Sequence, residues 1–288
     1  MTNSIFAPSA GPAQTSAADA RRPSAQATTQ PSAGSWGTLA LIGAVGGALS
    51  GLFAIGGGIL MVPLLVWRAG MDQRRAAATS LLAIIPAAVV SSATYLVHGD
   101  VDVIAGVFVA AGAVIGALVG SRLLRRLPLA WLRWMFIVFI LGIAVRLLLV
   151  EPGRGERIPL TPWVVFGYVA LGLVMGVASG LFGIGGGIIA VPLLVSAFGI
   201  GQLVAKGTAL LVSIPTSVVA TVSNRRAGMV DIRAGLIIGA AAAAASVPAV
   251  YVAVSIPAAT SSVLFAVLLL AVAAQLTVKA ARHPHSAS

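Results

Sequence analysis

Apolar runs long enough to cross a lipid bilayer follow one another along almost the whole chain. Short polar segments separate them, and the runs cover residues 37–68, 76–97, 102–121, 131–150, 162–198, 203–224, 234–254 and 258–278. A bilayer core about 30 Å thick is crossed by about 20 residues of α-helix. Six of the runs therefore fit one crossing each, and two are too long. This pattern predicts an all-α polytopic membrane protein.

The two over-long runs contain the same stretch, which reads Gly-Leu-Phe-x-Ile-Gly-Gly-Gly-Ile in both. Inside a helix, glycine costs about 1 kcal/mol per residue relative to alanine. We therefore expect each run to be two helical pieces joined by irregular backbone at Gly56–Gly58, the first break, and at Gly185–Gly187, the second break. A proline follows each triplet, and we expect the second piece to start near Pro63 or Pro192.

The two breaks belong to a longer internal repeat. At an offset of 129 residues, matching residues continue from Gly43 and Gly172 to Pro128 and Pro257 without a gap. A register of this length indicates one unit of four apolar segments used twice.

The first 35 residues are rich in Ala, Ser and Pro, and they lack the basic and apolar regions of a signal peptide. The sequence thus predicts a disordered tail at 1–35, a first transmembrane repeat at 36–150, a connecting loop at 151–161, a second transmembrane repeat at 162–281 and a tail at 282–288.

The basic residues indicate how the two repeats are oriented. If each broken run dips into the membrane and returns, the repeats are inverted, and fourteen of the 18 lysines and arginines lie on the side of the N-terminus. If each broken run crosses once, the same residues divide eight against ten. Basic residues favour the cytoplasmic side of a membrane. We therefore expect two inverted repeats, each a glycine-broken re-entrant hairpin followed by three transmembrane helices, with the N-terminus in the cytoplasm.

In this arrangement the two breaks meet near the middle of the membrane. Unpaired backbone N–H groups and the positive end of a short helix would then face the same space from both sides, which makes an anion site without a formal charge. Nearby polar side chains complete the predicted site. The predicted substrate-binding residues are Gly56, Gly57, Gly58, Gly185, Gly186, Gly187, Ser50, Ser179, Thr79, Thr208 and Lys206.

Structural roles compete with these assignments. A serine or threonine in a membrane helix often bonds its own backbone four residues earlier, and glycines at four-residue spacing let helices pack closely. Asp102 and Asp231 precede predicted helices and fit N-caps better than a proton-handling role. Lys206 either extends to the membrane surface or contacts an anion.

The composition excludes several functions. With 59% hydrophobic and 9% charged residues, the chain is not a soluble protein, and the absence of cysteine excludes disulfides and thiol chemistry. The net charge of +11 comes from basic residues between apolar runs, so we expect a lipid bilayer and no nucleic acid as the partner. No sequence motif for nucleotide binding, zinc binding or a nucleophilic serine is present, so we expect no enzyme, no cofactor and no metal. The sequence leaves open a monomer or a homo-oligomer.

The doubled stretch Gly-Leu-Phe-x-Ile-Gly-Gly-Gly-x-x-x-Val-Pro-Leu-Leu, within a duplicated four-segment unit, resembles the sulfite exporter TauE/SafE family over residues 36–280. The first copy departs from the second at Ala54, where the second has Gly183. The resemblance implies a transporter in the bacterial inner membrane that exports a small sulfur-containing anion such as sulfite or an organosulfonate.

We expect such a carrier to work by alternating access. The alternatives are an anion-selective channel, a carrier of the same family for an unrelated small anion, and a membrane scaffold that transports nothing.

Overall fold

The computed structural model describes residues 35–149 and 159–282, which form one compact unit. Most of the predicted tails and most of the connecting loop lie outside the described residues. Within the described ranges the secondary structure consists of helices: α1 (Trp36–Phe53), α2 (Gly58–Arg68), α3 (Gln73–Val97), α4 (Val103–Arg126), α5 (Leu129–Leu149), α6 (Pro162–Phe182), α7 (Gly187–Phe198), α8 (Gln202–Arg226), α9 (Ile232–Ser255) and α10 (Ala258–Arg282).

Six of these helices are long and apolar enough to cross a membrane, namely α1, α3, α4, α6, α8 and α9. Each over-long run of the sequence forms one helix that is long enough to cross a membrane, followed by one short helix. The first arms, α1 and α6, have 18 and 21 residues, whereas the second arms, α2 and α7, have 11 and 12. The chain therefore leaves the helix at both triplets, as the glycines predict.

The expectation that the short helices start near their prolines is wrong. They begin five residues earlier, because Gly57 and Gly186 adopt left-handed backbone (φ 74° and 84°) and act as N-caps. The Gly57 carbonyl then accepts hydrogen bonds from the N–H groups of Leu60 and Met61. Pro63 falls in the second turn, where its missing donor removes a single helical hydrogen bond.

Two pairs of helices pack side by side through glycine stripes. Gly43, Gly47 and Gly51 of α1 lie so close to α9 that an added Cβ would overlap with its backbone. The stripe on α6 packs in the same way against α4, and its members are Gly172, Gly176 and Gly180. Successive glycines meet successive turns of the partner, so each pair runs parallel. The packing role of these six glycines is confirmed.

Five helix termini meet at one end of the molecule, the arginine-rich end. Arg75 at the start of α3 forms an ion pair with Asp231 at the start of α9, at 3.2 Å. Arg125 near the end of α4 donates a hydrogen bond to Ser223 Oγ near the end of α8, at 3.1 Å. The Arg233 guanidinium of α9 lies over the ring of Trp36, the first residue of α1. Helices α1, α3 and α9 therefore begin at this end, and α4 and α8 finish there.

At the opposite end, the last turns of α3 lie beside the first turns of α8. An added Cβ at Gly207 would overlap with the Asp100 carbonyl oxygen and would lie 2.9 Å from the Cβ of Tyr95. The Asp102 N–H donates to Thr208 Oγ1 at 2.9 Å. Because Thr79 near the start of α3 contacts Asp231, just past the end of α8, the two helices run antiparallel.

Candidate functional site

The two breaks lie against each other in the interior of the bundle. An added Cβ at Gly58 would overlap with the Gly183 carbonyl oxygen, and one at Gly187 would overlap with the Ala54 carbonyl oxygen. At the centre, an added Cβ at Gly56 would lie 3.4 Å from the Gly185 Cα. The two segments therefore pass each other in opposite directions, and equivalent positions of the two repeats exchange places.

Glycine is required at these positions for two separate reasons. Gly56, Gly57, Gly185 and Gly186 have φ between 71° and 84°, a region that side chains with a Cβ rarely adopt. Gly58 and its repeat equivalent have ordinary φ but no room for a Cβ. The triplets thus combine left-handed backbone with close approach of two chains.

The break amides have no hydrogen-bond partner, although the surrounding backbone is fully buried. Within the described residues, the N–H groups of Gly56, Gly57, Gly185 and Gly186 donate no hydrogen bond. In contrast, the carbonyls of three of these four glycines accept hydrogen bonds: Gly57 O and Gly186 O each accept two backbone N–H groups, and Gly185 O accepts one from Ser213 Oγ at 2.6 Å.

Because three of these four carbonyls accept hydrogen bonds and none of the four N–H groups donates one, the breaks are electropositive. The N-terminal ends of α2 and α7 add the positive ends of two helix dipoles. A buried amide without a partner costs on the order of several kcal/mol in a membrane interior. A small anion that accepted these hydrogen bonds would remove that cost, so the arrangement suits anion binding.

Ser50 and Ser179 lie one turn before the breaks and are also unpartnered. Their backbone carbonyls accept the N–H groups of Ala54 and Gly183, both at 2.8 Å, which closes the last turn of α1 and of α6. Their side-chain hydroxyls are fully buried and have no hydrogen-bond partner among the described residues. Neither hydroxyl therefore donates to the carbonyl four residues earlier in its own helix, which is the structural role that competes with substrate binding.

Thr79 and Thr208 are engaged elsewhere. Their hydroxyl oxygens accept the N–H groups of Asp231 and Asp102, at 3.1 and 2.9 Å. The two aspartates cap α9 and α4, since each side chain accepts the N–H three residues later at 3.0 Å. Capping by the aspartates is confirmed. The threonines lie at opposite ends of the molecule, each at the start of a helix from the other repeat, and their contact with substrate stays a prediction.

Lys206 is buried, with 2% of its surface exposed. Its ammonium group donates to the Leu52 carbonyl at 3.0 Å and to Ser261 Oγ at 2.9 Å. Leu52 lies in the last turn of α1, where the helix dipole is negative, so a cation is favourable there. Lys206 also lines an open pocket of about 320 Å³ together with Asp100. Burial raises the pKa of the Asp100 carboxyl, and the nearby His98 opposes this shift more weakly.

The family model described as sulfite exporter TauE/SafE matches residues 6–147 and 168–288. The chain belongs to the TauE/SafE family. With six helices able to cross a membrane, it is a multi-pass membrane protein of a transporter family. The resemblance found in the sequence is thereby confirmed.

Among the relatives of this TauE/SafE protein is the probable membrane transporter protein YunE of Bacillus subtilis. It is 27% identical over 217 residues, which cover 67% of the chain and 79% of YunE. The probable membrane transporter proteins MamO of Magnetospirillum gryphiswaldense and Paramagnetospirillum magneticum are 29% identical over 117 residues, which cover 38% of the chain and 18% of MamO. No solved structure matches the chain.

Two serines of the TauE/SafE protein donate hydrogen bonds at or beside the second break without having been predicted as ligands. Ser80 Oγ donates to Gly183 O at 2.7 Å, and Ser213 Oγ donates to Gly185 O at 2.6 Å. Their repeat equivalents are Ala209 and Ile84, so comparison of the repeats could not find them. For Ser213, a usable signal in the sequence is its helical spacing from other polar residues of α8, which places them on one face of the helix.

Three open pockets lie at helix ends, and none is lined by a break residue. A pocket of about 520 Å³ at the arginine-rich end lies between α4 and α8 and is lined by Arg122, Arg125 and Arg226. In the described part of the chain, no group of three His, Asp or Glu side chains could hold a metal ion. In this conformation the breaks are closed by contact with each other.

Proposed function

We propose that this TauE/SafE protein is a carrier that moves a small anion across the bacterial inner membrane by alternating access. The observation that carries the proposal is the pair of breaks, whose buried and unpartnered N–H groups lie next to each other. Four main-chain donors from two directions match an anion with several oxygen acceptors. The fully buried hydroxyls of Ser50 and Ser179 are further donors close in sequence to the breaks.

The proposed architecture is two inverted repeats with re-entrant hairpins. Three contacts support it: α1 and α3 both begin at the arginine-rich end, α3 and α8 run antiparallel, and equivalent break positions exchange places. The positive-inside rule then assigns the arginine-rich end and the N-terminus to the cytoplasm.

Sulfite or a small organosulfonate is the proposed substrate, and export is the proposed direction. Support comes from the description of the family and from the chemistry of the site, which offers hydrogen-bond donors and no carboxylate. Because Gly58 and Gly187 leave no space beside the opposite break, the breaks have to separate when the anion binds. This separation is the movement that we propose to couple with access to one side or the other.

Transport by the purified protein in proteoliposomes tests the proposal. The panel is sulfite, thiosulfate, sulfate, sulfoacetate and taurine, and we expect saturable uptake with counterflow for sulfite or sulfoacetate. Gly56→Ala should lower this flux about tenfold or more, since its Cβ strains left-handed backbone and lies 3.0 Å from Ile184 O.

Gly37→Ala is the matched control for Gly56→Ala, because no atom lies within 4 Å of its added Cβ. Absence of anion flux would overturn the proposal. Counterflow confined to an anion without sulfur would overturn the proposed substrate but not the proposed carrier mechanism. Single-channel currents would instead establish a channel.

A further inference from the structure

Helix α8 carries a buried polar stripe that the proposed site does not use. Ser217, Thr221 and Asn224 follow one another at spacings of four and three residues, so they lie on one face of the helix. Their exposed fractions are 0%, 6% and 0%. These three residues form the α8 stripe.

None of the polar side-chain atoms of the α8 stripe has a hydrogen-bond partner within the described residues. This holds for both hydroxyl oxygens and for both the nitrogen and the oxygen of the Asn224 amide. Other hydroxyls of α8 bond the carbonyl four residues earlier, as Ser213 and Thr216 do at 2.8 and 2.7 Å. Buried polar groups are rarely left unpaired, and in a membrane they are especially costly.

The α8 stripe connects the second break with the arginine-rich end. One turn before Ser217, the Ser213 hydroxyl donates to the Gly185 carbonyl in the break. At the other end, Ser223 beside Asn224 accepts a hydrogen bond from Arg125 at 3.1 Å. A row of unpaired neutral groups therefore leads from the breaks to the basic surface.

The equivalent face of α3 is built differently. The repeat equivalents of the α8 stripe are Ala88, Ser92 and Tyr95. Ser92 Oγ donates to Val89 O at 3.2 Å, and the Tyr95 hydroxyl donates to Gly51 O at 2.9 Å. Because the polar side chains at these equivalent positions of α3 are paired, the unpaired groups of the α8 stripe are a property of the α8 sequence and not of the repeat.

We infer that the α8 stripe lines the half of the anion path between the breaks and the arginine-rich end. In the conformation that faces this end, water and the anion reach the stripe, and its two hydroxyls and one amide supply hydrogen-bond donors to a sulfonate or sulfite. In the closed conformation the stripe is packed away. This inference rests on the proposed function and adds the residues through which the substrate enters or leaves.

Thiol labelling tests the inference directly, because the chain contains no cysteine. The variants Ser217→Cys, Thr221→Cys and Asn224→Cys are compared in vesicles that expose the arginine-rich end to a membrane-impermeant methanethiosulfonate. Ser92→Cys on α3 is the repeat-matched control, and Ile115→Cys on α4, where Ile115 has 58% of its surface exposed, is the lipid-facing control. Sulfoacetate serves as the protecting anion, because sulfite itself reacts with the reagent.

We expect the α8 stripe variants to react roughly tenfold faster than both controls, and sulfoacetate to slow their reaction. Labelling no faster than that of Ile115→Cys would overturn the inference, as would labelling that sulfoacetate does not slow. Counterflow by the wild-type protein is measured in parallel. If counterflow occurs while the α8 stripe stays unlabelled, the inference fails and the proposed carrier stands; if counterflow is absent, the proposed function fails by itself.

Discussion

The glycines of the two breaks have to satisfy backbone geometry and close packing together, and the first copy departs from the second at one residue. Ala54 has φ 58° and is the one non-glycine residue with positive φ among the described residues. Its repeat equivalent, Gly183, has φ 71°. Left-handed backbone costs a residue with a Cβ about 1–2 kcal/mol, so the first break holds strain that the second does not.

This difference predicts unequal effects on stability for the substitutions Ala54→Gly and Gly183→Ala. Ala54→Gly should leave the melting temperature unchanged or raise it slightly, since the relief of strain is offset by a more flexible unfolded chain. Gly183→Ala should destabilise the protein by about 2 kcal/mol or more, because the new Cβ would overlap with the Ala77 carbonyl. Thermal unfolding in detergent measures both, and similar shifts for the two variants would contradict this account of the breaks.

Lys206 offers a second test at the scale of one residue. Lys206→Met leaves the Leu52 carbonyl without its donor, so we expect a loss of stability of about 1–3 kcal/mol. If the ammonium group also contacts the anion, as predicted, sulfoacetate affinity should fall about tenfold or more. Ser261→Ala, which removes the other partner of Nζ, is the control. Unchanged affinity in folded Lys206→Met would leave Lys206 with the structural role alone.

At the scale of the helices, the sequence predicts where each over-long run breaks but not how its two arms are divided. Three glycines and the repeat locate both breaks. Helix α2 begins where it does because Gly57 adopts left-handed backbone and caps the helix, and the position of Pro63 does not predict this start. The six packing glycines follow from their four-residue spacing alone, although their partner helices do not.

Helix α8 gives a prediction that separates binding from stability. Asn224→Ala removes two unpaired polar atoms from the interior, so we expect stability to be kept or slightly increased. Anion flux should nevertheless fall about tenfold, since a donor of the path is lost. Ser92→Ala on the equivalent face of α3 is the control and should leave flux unchanged. Flux kept in Asn224→Ala would contradict the role of the α8 stripe.

For the whole molecule, the balance of basic residues leads to a prediction of topology. A reporter inserted at Gly99 should be periplasmic, and one inserted at Gly228 should be cytoplasmic. Both glycines lie in turns with φ near 70–77° and have no atom within 4 Å of an added Cβ, so insertion there is tolerated sterically. Reporters on the same side would rule out inverted repeats.

The candidate site could be predicted only in part from the chain as a whole. Equivalent residues of the repeats identify the breaks, Ser50 and Ser179, since these are the same in both copies. Equivalence also draws attention to Thr79 and Thr208, whose hydroxyls instead accept hydrogen bonds at helix starts. The polar residues of α8 differ from those of α3, and which of them lack partners depends on packing that one sequence does not specify.

The central claim is that main-chain N–H groups of both breaks bind the anion, and amide NMR measures this most directly. Protein labelled with ¹⁵N-glycine in lipid nanodiscs is titrated with sulfoacetate. We predict saturable shifts of the Gly56, Gly57, Gly185 and Gly186 amides, with none at Gly99 or Gly228. Saturable binding that leaves the four break amides unshifted would contradict the account.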